Sequence, residues 1–208
     1  MTETESEDDR NGIVLLAIAV EGGLVLLALL LGWLFNQPPL TRFDLDAAAA
    51  VWGLLAAGPM LVLVLVLMQL PLPPLVRLRA LTENVFRPVM APCTLVDLFG
   101  ISCLAGLGEE MVFRGVVQDA LVEHLSTGGA IVAAAVVFGL VHAVTPTYAV
   151  LAAGMGAYLG WLYVATDNLL APMVTHAAYD FVLLVYLLRE PDDEEDEDEP
   201  ADEDDEEE

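Results

Sequence analysis

The chain has 208 residues, of which 32 are acidic and 7 basic, for a net charge of −25, and yet 57% of its residues are hydrophobic. One mixed soluble core does not combine these figures. The seven cations are all arginines and lysine is absent, which excludes a nucleic-acid-binding surface, because neutralising phosphates takes clustered basic residues.

Acid and apolar residues are segregated along the chain. Residues 1–9 hold 5 acids and residues 190–208 hold 16, so 21 of the 32 lie in two short tails; residues 10–189 carry 11 acids against 7 arginines. The composition resembles that of halophilic proteins, in which exposed carboxylates hold hydration and Lys is scarce. Residues 1–12 read as an acidic N-terminal tail, 13–189 as the membrane domain and 190–208 as an acidic tail with almost nothing to bury, expected to be disordered.

Ile13 to Phe35 is an apolar run of 23 residues with one charge, Glu21, long enough to cross a hydrocarbon core of roughly 30 Å. The acidic stretch before it is unlike the basic start of a secretory signal, so the run reads as a retained span. Ala47 to Leu70 is a second span, closed by Pro71, Pro73 and Pro74. A polar loop is expected over 71–92, then one long helix from Thr94 to Leu125, stopped by Ser126, Thr127, Gly128 and Gly129. Ala130 to Ala143 is apolar but short, as a tilted or protein-buried segment would be; Thr147 to Ala165 and Leu169 to Leu188 complete about six helices. The fold class expected is therefore all-α, a polytopic transmembrane bundle in a lipid bilayer. Arg77, Arg79 and Arg87 between spans two and three favour a cytoplasmic position for that loop and for both termini, with Arg42 dissenting. Trp33, Trp161 and Tyr163 sit near span ends, where interfacial anchors are expected. Cys93 and Cys103, about 15 Å apart along one helix, are too distant for a disulfide.

An ionisable side chain at membrane depth costs roughly 2.5–3.5 kcal/mol on insertion scales, so those present face a cavity or a partner. They are concentrated in three places: Glu109, Glu110 and Arg114 in GEEMVFRG, His142 in FGLVH, and His176 and Asp180 in THAAYD. Glu110 to Arg114, Phe138 to His142 and His176 to Asp180 are each spaced i, i+4, on one helix face. Three helices thus each turn a polar face inward, as a buried polar cavity requires. Carboxylates in differing environments are an acid and base arrangement, although an ion pair such as Glu110 with Arg114 also serves simply to hold helices together. Glu21 and Asp97, nearer helix ends, read as snorkelling or packing residues, His124 as interfacial, and Gly156 and Gly160 as a close helix contact.

These three ordered motifs, 33 and 34 residues apart measured from Glu109 to His142 to His176, resemble those of the CPBP intramembrane proteases, the CAAX-prenyl endopeptidase and bacteriocin-processing group also called Abi proteins, over about residues 92–189. The resemblance implies an endopeptidase acting on a membrane-associated or CAAX-like protein, with Glu109 activating water, His142 assisting, His176 and residue 180 stabilising the oxyanion, and Glu110 with Arg114 in support. The CAAX endopeptidases usually carry Asn where this chain has Asp180, and an ionised Asp cannot donate to an oxyanion; it can orient His176 by accepting its ring proton. Glu109, His142, His176 and Asp180 are also donors of the kind that Zn²⁺ or another divalent metal takes, as in a metalloprotease, so metal-bound and metal-free routes both stay open. The rival readings are a non-catalytic binding or bacteriocin-immunity protein of the same bundle, and a small transporter using the carboxylates as a proton relay.

Overall fold

The computed structural model describes residues 3–189, and the acidic tail 190–208 lies outside them. Seven helices follow one another with no strand among the described residues. They are α1 (Glu3–Phe35), α2 (Ala47–Gln69), α3 (Pro73–Met90), α4 (Leu95–Val122), α5 (Thr127–Val141), α6 (Pro146–Thr166) and α7 (Leu170–Arg189). Four of them, α1, α2, α6 and α7, are long and apolar enough to cross a membrane.

Two expectations are corrected. The segment 71–92, read as a loop for its prolines and arginines, is helical: Pro73 and Pro74 occupy the first turn, where a missing N–H costs nothing. It meets α4 at a bend of 112°, the geometry of a broken fifth span or of a re-entrant loop. Helix α1, expected from Ile13, already begins at Glu3, because nothing in the acidic stretch breaks a helix. The short fourth segment is as apolar as expected, and α5 with its 15 residues spans only about 22 Å.

Side-chain caps set the starts. Asp46 accepts from Ala49 N ahead of α2, Ser126 from Gly129 N ahead of α5, and Thr145 from Tyr148 N ahead of α6. Thr94 and Asp97 form a reciprocal capping box at the start of α4. Asp97 also takes both Arg10 Nε (2.6 Å) and Arg10 Nη2 (3.0 Å), which ties α1 to α4; its role is capping and clamping rather than snorkelling.

Helix α4 is packed between α1 and α7, α5 lies on α6, and α2 lies on α7. Close approaches make this possible. A Cβ at Gly53 would sit 2.6 Å from Ala171 O, one at Gly106 2.7 Å from Met173 O, one at Gly108 2.7 Å from Glu21 O, and one at Gly139 2.5 Å from Ala149 O. Thr175 adds a buried hydroxyl that donates between α7's own Ala171 O and Gly53 O of α2, 2.9 Å from each.

At the end where α4 stops, Arg42 pairs with Asp119 and Asp167 and lies over the Tyr163 ring at 4.2 Å. Tyr163 is fully buried and donates to Asp119 (2.8 Å), so it is a core residue and not the interfacial anchor expected of it; Trp33 and Trp161 are exposed. The arginine that dissented from the loop-charge pattern is held by two carboxylates. Cys93 and Cys103 are both free.

Candidate active site

Helix α4 carries the centre of the site on a change of winding. After Glu110 the backbone passes into a π-helical stretch, Met111–Gln118, whose wider turn is rare and frequent at functional sites. All but one of its eight residues are buried, Arg114 and Gln118 among them. Arg114 donates to Glu110 Oε1 (2.6 Å) and to Gly156 O (2.9 Å), and Gln118 donates to Gly160 O (3.1 Å). Two side chains one turn apart on α4 thereby grip two carbonyls one turn apart on α6. Gly156 and Gly160 do mark a close contact, and the same positions also serve as acceptors.

Glu110 Oε1 accepts a second bond, from His176 Nδ1 at 2.8 Å, and His176 Nε2 faces Asp180 Oδ2 at 3.3 Å. The result is one connected line: Gly156 carbonyl, Arg114, Glu110, His176, Asp180, reaching from α6 through α4 to α7. Glu110 is fully buried and Arg114 and His176 nearly so. Arg114 also lies over the Phe138 ring at 4.9 Å, so the aromatic of the second motif covers the guanidinium of the first.

Glu109 stands apart from that line. Its Oε2 is buried without a hydrogen-bond partner and lies 3.6 Å from His142 Nε2. That separation is beyond a hydrogen bond, but both atoms reach one water placed beside them. His142 caps the C-terminus of α5 with φ −94° and ψ 12°, in the sparsely populated bridge region where many active-site residues sit. Its Nδ1 is 2.8 Å from Phe138 O, and its ring stacks on Phe138 with centroids 4.3 Å apart. A carbonyl only accepts, so Nδ1 carries the proton in that bond and Nε2 is left facing Glu109.

All six residues singled out by the motifs therefore meet in one region, in two groups: Glu109 with His142, and Glu110, Arg114, His176 and Asp180. As a metal set they fit poorly. Among the described residues no three of His, Cys, Asp or Glu are placed to hold one ion, and both ring nitrogens of His176 are already turned to carboxylates.

The motifs do not mark two further participants. Gln118 joins the grip on α6, and its spacing of four from Arg114 was the available signal. Glu21, expected to snorkel or pack, packs against α4, its carbonyl 2.7 Å from where a Cβ at Gly108 would sit. Nothing in the sequence of α1 announces this.

An apolar cavity of about 110 Å³ opens between α2, α3, α6 and α7, lined by residues including Met68, Leu78, Tyr148, Met155 and Tyr179. Tyr148 is shared with the site, its ring 6.3 Å from that of His142.

Residues 91–182 match the family model described as Rce1-like, type II CAAX prenyl endopeptidase Rce1-like. The matched segment holds all six motif residues, and Arg10, Glu21 and Arg42 fall outside it. No curated protein and no solved structure matches the chain. Similarity to this family suggests a protease, hence a peptide or protein substrate, and the long apolar helices suggest a lipid bilayer around them.

Proposed function

We propose that this Rce1-like chain is an intramembrane endopeptidase that hydrolyses a peptide bond of a membrane-associated or CAAX-like protein through a water activated by Glu109 and His142. The observation that carries the reading is the pairing itself: a carboxylate oxygen with no protein partner, facing an imidazole nitrogen at 3.6 Å. A general base must lie within reach of the water that it deprotonates, directly or with an orienting neighbour. Glu109 accepts the proton as the water oxygen attacks, and His142, fixed by Phe138, holds the water from the other side.

The oxyanion that follows needs positive charge or a donor nearby. His176 lies between Glu110 and Asp180, and donating to both makes its ring an imidazolium. It then acts on the oxyanion through its charge, with Asp180 orienting the ring rather than donating to the oxyanion itself. Glu110 and Arg114 keep His176 in place. The cavity beside Tyr148 suits an apolar stretch of the substrate, and the arginines of α3 favour a cytoplasmic side for that segment and for both termini.

The test is Glu109→Ala. Purified in detergent, it should insert and fold as wild type yet fail to cut a farnesylated CAAX peptide, and in cells an uncut precursor should accumulate in the membrane fraction. Cleavage at the wild-type rate would refute the role of Glu109, and failure of the wild type itself to cleave would leave the binding or immunity reading in its place.

A further inference from the structure

Helix α4 presents three faces. At about 100° per residue, Gly106 and Gly108 lie about 200° apart, and each is pressed on a different neighbour: Gly106 on Met173 and Ala177 of α7, Gly108 on Glu21 and Leu24 of α1. Glu109 falls between these two faces. Glu110 turns back towards α7, where His176 holds it. The carboxylate that faces the water is thus flanked by α7, with His176 and Asp180, on one side and by α1, with Glu21, on the other.

Glu21 lies on the α1 side, where its backbone carbonyl is pressed on Gly108. Its Oε2 is buried and has no hydrogen-bond partner, as is true of Glu109 Oε2. Arg114 is committed to Glu110 and Gly156, His176 to Glu110 and Asp180, and His142 Nδ1 to Phe138, whereas Glu110 Oε2 and Gln118 Oε1 are, like Glu21 Oε2, buried without a partner. An unpartnered carboxyl at membrane depth is costly to keep, and Glu21 sits on α1 beside the turn of α4 that carries Glu109.

Peptide hydrolysis has a requirement that the proposed reading leaves open, a proton for the departing amine. We propose that Glu21 is a catalytic residue that donates this proton to the leaving nitrogen, an inference that rests on the endopeptidase reading of the site. As the water oxygen bonds to the carbonyl carbon, one water proton passes to Glu109. Glu21 gives its proton to the amide nitrogen, the C–N bond breaks, and the products are a carboxylic acid and an amine. The proton on Glu109 then returns to Glu21, which restores both side chains, and the products leave as carboxylate and ammonium after exchanging a proton between themselves.

The experiment compares two probes, a farnesylated CAAX peptide and the same peptide with the scissile amide replaced by a thioester, whose thiolate departs without a proton. Glu21→Gln keeps the shape and removes the acid. It should lower kcat on the amide on the order of 100-fold, leave KM within about twofold, and leave thioester hydrolysis within a few-fold of wild type. Glu21→Asp, which retains an acid on a shorter arm, should recover part of the amide activity. Full amide activity in Glu21→Gln, or equal loss on both probes in folded protein, would overturn the proposal. Glu109→Ala separates the two claims: it should abolish cleavage of both probes, and if it does not, the water-activating role of Glu109 fails and not the role of Glu21.

Discussion

Replacing Arg114 by Met isolates what the buried line through the bundle contributes. Arg114 is 1% exposed and its partner Glu110 is 0% exposed, and the pair is reinforced by the bond to Gly156 O and by the Phe138 ring. Methionine fills much of the same volume, so the cost is electrostatic rather than a cavity. Removing one member of a buried pair typically costs about 3–5 kcal/mol; His176 still donates to Glu110, which puts the loss at the lower end, and the lost bond to the Gly156 carbonyl adds about 1 kcal/mol. At about 2–4 °C per kcal/mol for a domain of this size, the midpoint of thermal unfolding in detergent, followed by circular dichroism, should fall by about 10 °C or more. Glu110→Gln with Arg114→Met removes the orphaned charge as well as its partner, so the double variant should be more stable than the sum of the two singles by about 2 kcal/mol. A single variant within about 1 kcal/mol of wild type, or a double variant that is simply additive, would refute the view of the pair as one coupled unit.

Three more outcomes are expected. Gly108→Ala should impair cleavage and lower stability, since the new methyl meets the Glu21 carbonyl at 2.7 Å, backbone against backbone; Gly100→Ala, where nothing lies within 4 Å, should be neutral or stabilising by up to about 1 kcal/mol. The same assays on both variants check this, and equal effects would count against close packing of α1 on α4. Asp180→Asn should retain cleavage, because an amide oxygen still accepts from His176 Nε2; complete loss would show that the carboxylate charge itself is needed. Metal analysis of the purified protein should find less than one equivalent of any divalent ion, with cleavage surviving a chelator, given the poor fit of the donors to one ion; chelator-sensitive activity restored by Zn²⁺ would reverse that.

The membrane spans were legible because they depend on composition and length alone: α2, α6 and α7 lie close to the bounds that the apolar runs imply, and α1 ends where expected, at Phe35, though it begins ten residues earlier. The three motifs were legible because the i, i+4 spacing survives into the structure, even at Glu110 and Arg114, where the helix changes to π winding. The helicity of 73–90 was obscured by prolines that look like breakers, although two of them sit at a helix start. Tyr163 was misread since nearness to a span end does not reveal an aspartate across a helix interface. Glu21 was missed for the same reason: which neighbour a face meets is decided by register between helices far apart in the chain, and no local pattern carries it.

That register has a measurable form. Arg10 meets Asp97 and Glu21 meets Gly108, and in each helix the two positions are eleven residues apart. The ion pair at the start of α1 and α4 and the glutamate at the active centre are thus the two ends of one vernier. Substitutions between positions 10 and 21 change what touches lipid and little else, whereas inserting or deleting a single residue there would swing Glu21 by about 100° around α1 while Arg10 stayed clamped. The segment is free in composition and fixed in length.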